Sequence, residues 1–272
     1  MKMHNDTIRI GIAGLGAIGK ALAHTLDSGG VPGCRLAVVS GRDPVRTAEF
    51  IAGLSAPVPA VPLAALAGHA DVVVECAPAA VLREIVAPVI EAGKKVVVLS
   101  VGALLSHPDL MSGELGSGQI LVPTGALIGL DAVTAAAEGK IHSVRMITRK
   151  PPLGLMGAPF LVENNIEIRG LTAPLKVFDG TPREAAIGFP ANLNVAVALS
   201  LAGIGPDKTV LEIWADPTVT RNTHHITVDS DSATFSMTIE NIPSENPKTG
   251  RITAQSVLAL LRKLSAPVRV GT

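Results

Sequence analysis

The sequence predicts an α/β fold: a doubly wound parallel sheet in the first half, then a second α+β domain with a mixed sheet. Three observations carry this. The strand-like segments of the first half are nearly unbroken runs of Val, Ile and Leu, as strands buried on both faces must be. Helical segments separate them one by one, the alternation that builds parallel sheets. Beyond the first half, strand-like segments alternate apolar and polar residues instead, which marks a sheet with one open face.

The elements follow in order. Ile8–Ala13 is a short apolar strand, then a tight glycine turn leads into a helix over 18–28. Arg35–Ser40 is the second strand. A helix follows Asp43-Pro44, with Asp43 as its N-cap and Pro44 at the first helical position, where a missing N–H costs nothing. Asp71–Cys76, Lys95–Ser100 and Gln119–Pro123 complete the strands of this half, with a helix over 80–93 that stops at Gly93. In the second half, 132–137 and 190–203 read as helices. Residues 141–148, 209–215, 225–228 and 233–239 read as strands. Along 141–148, His142, Val144, Met146 and Thr148 share one side. A final helix near 253–264 carries Val257, Leu258, Leu260, Leu261 and Leu264, an apolar stripe suited to packing back on the first domain. The expected division is 1–125 with 252–272, and 126–251.

Composition narrows the function. Apolar residues make up 47% of the 272, enough to bury two cores. Basic and acidic residues balance at 23 each, so no basic surplus points to nucleic acid or an anionic membrane. With five Phe, one Trp and no Tyr, platforms for stacking single-stranded bases are also unexpected. Cys34 and Cys76 form neither a disulfide framework nor a metal site and read as small core residues. His4, His24, His69, His107 and His142 lack ligand spacing, so no metal is expected. No signal peptide or membrane span is visible, and a soluble cytoplasmic protein is the expectation.

The turn between the first strand and helix reads Gly14-Leu15-Gly16-Ala17-Ile18-Gly19. In that setting the glycines carry a dinucleotide fingerprint. Gly14 permits the turn, Gly16 lets a pyrophosphate approach the backbone, and Gly19 lets helix and strand pack closely. Ala17 and Ile18 open the helix and present N–H groups to the phosphates. The expected domain is therefore of the Rossmann type and binds NAD or NADP. The second strand ends Ser40-Gly41-Arg42-Asp43, with no carboxylate at its tip. Ser40 and Arg42 suit a 2′-phosphate, which tilts the choice toward NADP. Arg42 also reads as a solvated turn residue, and Asp43 as an acid placed to favour NAD.

Several further segments are distinctive: Val74-Glu75-Cys76-Ala77, Ser100-Val101-Gly102-Ala103-Leu104, Pro123-Thr124-Gly125-Ala126-Leu127-Ile128-Gly129-Leu130-Asp131, Thr148-Arg149-Lys150-Pro151-Pro152, Phe189-Pro190-Ala191-Asn192-Leu193-Asn194, Ala215-Asp216-Pro217, Asn222-Thr223-His224-His225-Ile226 and Glu245-Asn246-Pro247-Lys248-Thr249. With the glycine turn, they make the chain resemble the L-aspartate dehydrogenase family over nearly its whole length. The resemblance implies NAD(P)-dependent oxidative deamination of aspartate to oxaloacetate through iminosuccinate, and the reverse reductive amination. It implies that His224, rather than His225, is the catalytic residue, and that Ala126 and Asn192 lie against the nicotinamide half of the cofactor. Relatives often carry Asp where this chain has Gly41.

The chemistry suits these residues. Imine formation and hydration need a proton-exchanging group, and imidazole ordinarily titrates near neutrality. A lone histidine also reads as a packed or surface residue. Strand alternation sends one ring of the His224–His225 pair inward and one outward, without saying which. A dicarboxylate substrate needs cations: Lys150 and Lys248 are the candidates, with Arg149 and Arg221 next, though each also reads as a solvated charge. Glu75 either faces the cofactor or is a strand-end carboxylate with a basic partner. Gly102 either lets backbone N–H approach a ligand or is an ordinary loop glycine. The alternatives are a reductase of a related imine or semialdehyde on the same scaffold, of the dihydrodipicolinate reductase or homoserine dehydrogenase type, and a non-catalytic NAD(P) sensor that binds a partner protein. An open sheet face in the second domain suggests a homodimer.

Overall fold

The first sheet is built from β1 (Ile8–Ala13), β2 (Cys34–Ser40), β3 (Val72–Glu75), β4 (Lys95–Val98) and β5 (Gln119–Leu121). In the computed structural model these strands lie in the order β2-β1-β3-β4-β5, and every pairing is parallel. Between them run α1 (Ala17–Asp27), α2 (Pro44–Ala52), α3 (Leu66–His69) and α4 (Leu82–Glu91). The structure describes residues 7–190, 193–242 and 250–272.

The strands earn their places through burial. Ile10, Ile12, Val74 and Val97 have no exposed surface; each such side chain contributes about 1.5–3 kcal/mol of transfer free energy. The core they form includes Leu22 and Leu26 of α1 and also Val257 and Leu261. Those last two belong to the C-terminal helix, Ile252–Ser265. The hydroxyl of Ser265 donates to the Pro32 carbonyl at 2.7 Å, which pins that helix near the start of β2. One compact unit therefore runs to Pro123 and takes in Ala254–Val270, and the other comprises Thr124–Thr253 with Gly271–Thr272.

The second unit holds α5 (Leu130–Ala137), β6 (Ile141–Lys150), α6 (Pro159–Glu163), β7 (Leu175–Gly180), α7 (Pro182–Gly188), α8 (Asn194–Ala202), β8 (Val210–Ala215), β9 (Asn222–Ser230) and β10 (Thr234–Asn241); the C-terminal helix is α9. Its sheet has the order β10-β9-β6-β8-β7. β6 and β8 are parallel and the other pairs antiparallel. One face carries Val144, Met146, Ile226 and Val228, all fully buried. Helices cover it: a methyl group at Gly203, just after α8, would touch Val133 of α5 and Val144 at 3.2 and 3.4 Å. On the opposite face Ser143, Arg145, His225 and Thr238 are exposed.

Several elements differ from expectation. α3, α6, β7 and α7 are additional, and the helix expected over 190–203 begins at Asn194, with 191–192 outside the described residues. α7 has a full capping box, in which Thr181 and Glu184 satisfy each other's backbone N–H groups.

Candidate functional site

The glycine turn has the shape its sequence calls for. Gly14 sits at φ +101°, and a Cβ there would lie 2.7 Å from the Cys76 carbonyl oxygen. At Gly19 a Cβ would come within 1.9 Å of the Gly14 carbonyl oxygen, so only glycine permits this packing. Gly16 differs: nothing lies within 4 Å of where its Cβ would be. It is the N-cap of α1 and supplies no side-chain hydrogen bond. Gly16 and Ala17 are exposed and Ile18 half-buried. The first turn of α1 thus offers backbone N–H groups beside open space, a cradle that fits a pyrophosphate.

The β2 tip closes the turn from the other side. Ser40 is buried, and its carbonyl accepts the Gly14 N–H at 2.8 Å. Asp43 caps α2 by accepting from the N–H groups of Val45 and Arg46. Arg42 is exposed. Gly41 is constrained: a Cβ there would meet Thr47 Oγ1 at 2.1 Å. That hydroxyl is held in place by donating to the Asp43 carbonyl at 2.6 Å. A carboxylate at position 41 therefore requires Thr47 to move.

Strand order extends the surface beyond the glycine turn. Ligands of such sheets lie outside the carboxyl ends of the strands, with the adenosine ribose at β2 and the pyrophosphate at β1. The ends of β3 and β4 continue this edge on the far side of β1. Here Glu75 is fully buried. It accepts from the N–H groups of Ala77, Leu99 and Ser100 at 3.0, 3.0 and 2.8 Å, and from the Ser100 hydroxyl at 3.1 Å. Burial pushes its carboxyl above the usual carboxylate range, against the opposing pull of these donors. The basic partner expected as one reading of Glu75 is replaced by this ring of donors, which ties the turns after β3 and β4 together. Gly102 lies in the 3-10 turn that follows, Val101–Ser106.

In the second unit the histidine pair divides as alternation requires. His225 is exposed and pairs with Thr238 Oγ1 at 2.8 Å. His224 is the inward ring, 3% exposed. Register places His224 beside Thr148 of β6 and Ile239 of β10. Its Nδ1 lies 3.1 Å from Thr148 Oγ1. Among the described residues that is the ring's hydrogen bond, which leaves Nε2 for proton exchange. Lys150 lies two residues beyond Thr148 on the same face and is also buried. Burial, and then the Lys150 charge, bring the His224 pKa down to about 3. At neutral pH the ring is an uncharged imidazole, and its burial opposes protonation.

A consequence for stability follows from the depressed value. As pH falls, the unfolded chain protonates this histidine near pH ~6.5 while the folded chain resists. His224 therefore costs no stability above about pH 6.5, and stability falls by about 1.4 kcal/mol per pH unit below it, toward the folded value. Denaturant melts between about pH 4 and pH 7 should show this slope in the native chain and lose it in His224→Gln.

The remaining candidates separate. Ala126 is half-buried, and its carbonyl accepts from Asn241 Nδ2 at 2.9 Å. Asn192 and Lys248 lie outside the described residues. Arg149 pairs with Asp216 at 3.0 Å and stacks over Trp214, its guanidinium carbon 4.7 Å from the ring centroid. That side chain is committed to a structural pair, which weakens it as a carboxylate anchor. Among the described residues no cluster of His, Cys, Asp and Glu could hold a metal ion, and no helix is long and apolar enough to cross a membrane. Sequence reasoning passed over two polar groups on this face, Thr148 as the imidazole partner and Asn241. Thr148 could have been found from its place in the β6 alternation; Asn241 looks like an ordinary strand-end residue.

A parallel sheet with a dinucleotide turn, and a mixed sheet carrying a buried neutral imidazole, define the class: a nicotinamide-dependent oxidoreductase. Comparison with known proteins narrows it. Residues 131–264 match the family described as aspartate dehydrogenase, C-terminal. Residues 14–113 match the NAD-binding domain of homoserine dehydrogenase. L-aspartate dehydrogenase 3 of Bordetella bronchiseptica is 70% identical over 268 residues, 98% of each chain. L-aspartate dehydrogenase of Bradyrhizobium diazoefficiens is 60% identical, covering 98% of this chain and 95% of that one. The crystal structure of aspartate dehydrogenase from Thermotoga maritima shares the fold, with a TM-score of 0.72 at 24% identity, over 97% of this chain and 99% of that one. The chain belongs to the aspartate dehydrogenase family.

Proposed function

We propose that the chain catalyses NAD(P)-dependent oxidative deamination of L-aspartate to oxaloacetate through iminosuccinate, and the reverse reductive amination. The observation that carries this reading is the buried, neutral His224 with a buried lysine on the same sheet face. The relatives named L-aspartate dehydrogenase support the choice of substrate. Gly14, Gly16 and Gly19, with the N–H groups of Ala17 and Ile18, are assigned to the cofactor phosphates. Ser40 and Arg42 are assigned to the adenosine ribose. Ala126 and Asn192 are assigned to the nicotinamide half. When bound, the nicotinamide supplies the acceptor for the hydride leaving Cα.

His224 handles the protons. Its Nε2 takes one from the substrate ammonium, so that the nitrogen lone pair can form the C=N bond as the Cα–H bond breaks. That proton passes to solvent, and the freed Nε2 then takes a proton from the water that adds to the imine carbon. Returned to the nitrogen, that proton lets ammonia leave as the C–N bond breaks, and the imidazole takes the remaining hydroxyl proton as the carbonyl forms. Thr148 holds the ring through Nδ1. Lys150 and Lys248 are assigned to the substrate carboxylates, where a lysine acts as a point charge. The open face of the second sheet supports a homodimer, and a cytoplasmic location is part of the same reading.

Absorbance at 340 nm tests the proposal, with aspartate and each nicotinamide in turn, and with oxaloacetate plus ammonia in reverse. Reduction of NAD or NADP by aspartate is expected, at a rate well above that with other amino acids. Silence in both directions, or faster reduction of an aldehyde or cyclic imine by NAD(P)H, overturns it.

A further inference from the structure

On the His224 face lies one buried polar atom without a partner among the described residues. Asn241 closes β10, is 3% exposed, and directs its Nδ2 to the Ala126 carbonyl. Among the described residues its Oδ1 is buried with no hydrogen-bond partner. Flipping the amide would bring oxygen against the Ala126 carbonyl oxygen, so the donor contact fixes which atom stays unpaired. A buried carbonyl oxygen left in this state is costly. Buried polar atoms are otherwise nearly always satisfied.

Register says what lies near it. Asn241 is opposite Asn222 on β9, and Ile239 is opposite His224. Side chains opposite one another in antiparallel strands share a face, so Asn241 and His224 are diagonal neighbours, about 7–8 Å apart at Cα. On the other side of β9, the ladder pairs Thr148 with His224 and Arg149 with Thr223. Continued by one residue, it sets Lys150 opposite Asn222. One row across three strands therefore carries a bare acceptor at one end and a cation at the other, beside the proton-exchanging imidazole. β10 and β6 stand two strand spacings apart, roughly 10 Å, a gap that a four-carbon diacid and the lysine stem can span.

An amide oxygen repels carboxylates and welcomes N–H donors. On an amino dicarboxylate the donor is the amino group. We propose that Asn241 Oδ1 is the acceptor for the substrate nitrogen: the ammonium of the amino acid, the imine N–H, and ammonia in the reverse direction. Lys150 attracts either diacid, and Asn241 separates the amino acid from its deaminated counterparts. Its second function is to hold the Ala126 loop through Nδ2. The inference rests on the reading of the His224 face as the substrate site.

The experiment compares aspartate with succinate, which has the same two carboxylates and no amine, by calorimetric binding to the full-length protein saturated with NADH. The native protein is expected to bind aspartate more tightly. In Asn241→Leu, close to asparagine in shape, the ratio of affinities should fall about tenfold, an interaction worth roughly 1.4 kcal/mol. Succinate affinity should change by less than about threefold. Thermal melting checks folding, and Asn241→Ala serves if the leucine variant does not fold. An unchanged ratio, an equal loss for both ligands, or a native protein indifferent to the amine each overturns the assignment. A His224→Ala protein with undiminished turnover would instead overturn the parent reading.

Discussion

Replacing His224 by Ala lowers turnover with aspartate by about 10²-fold or more while NADH binds as before. The ring touches Thr148 and stands near Lys150, whereas the glycine turn belongs to the other unit and does not depend on it. The native kcat profile should also report the ring. In the absence of substrate the imidazole is held neutral to about pH 3. A bound dicarboxylate adds negative charge, which raises the pKa and lets the same ring return a proton. The limb of kcat should therefore lie above that value and vanish in the alanine variant. Stopped-flow turnover and NADH fluorescence decide the matter together: turnover within a few-fold of native ends the acid/base assignment, and a matching loss of NADH binding reassigns the residue to structure.

The second large effect comes from Lys150→Met, which keeps the buried stem and removes the charge. Removing one partner of a buried ion pair costs about 3–5 kcal/mol. On the proposed reading kcat/KM for aspartate falls by about 10²–10⁴-fold, mostly through KM, because the carboxylates are bound in ground and transition states alike. The charge also acts on its neighbour, since Lys150 contributes to the depressed His224 pKa. In Lys150→Met that pKa rises toward the unfolded value. The acid-side loss of stability should then span a narrower pH range. Kinetics with unchanged KM would remove Lys150 from the substrate site, while a shifted acid limb would still report its proximity to His224.

The parts of the molecule legible in sequence are those where one local rule dominates. The Val-rich strands and the glycine turn were readable because burial on both faces and close backbone approach each demand particular residue types. β7 was not. Its ladder with β8 slips between Lys176 and Phe178, so Val177 and Phe178 are both buried and the alternation that signals a strand is broken. α7 did carry a signal, the Thr181–Glu184 box with Pro182 at its first position, within a segment too short to show helical periodicity. At the histidine pair, alternation established that the rings diverge; pairing with β6 decided which faced the covered side. Asn241 had no sequence signature, because its burial comes from a contact with Ala126, 115 positions away.

The threading of the chain has a consequence for its synthesis. The residues that complete the nucleotide-binding core, Val257 and Leu261, follow the whole of the second unit. During translation the early strands emerge with a patch around Ile10 and Leu22 still uncapped, and it stays so until Val257 and Leu261 have been made. Nascent chains expose such surfaces to aggregation or to chaperones. A ribosome stalled just before the last helix would then hold a finished insert inside an unfinished host, and the two halves could not be separated by one cut into independently folding pieces.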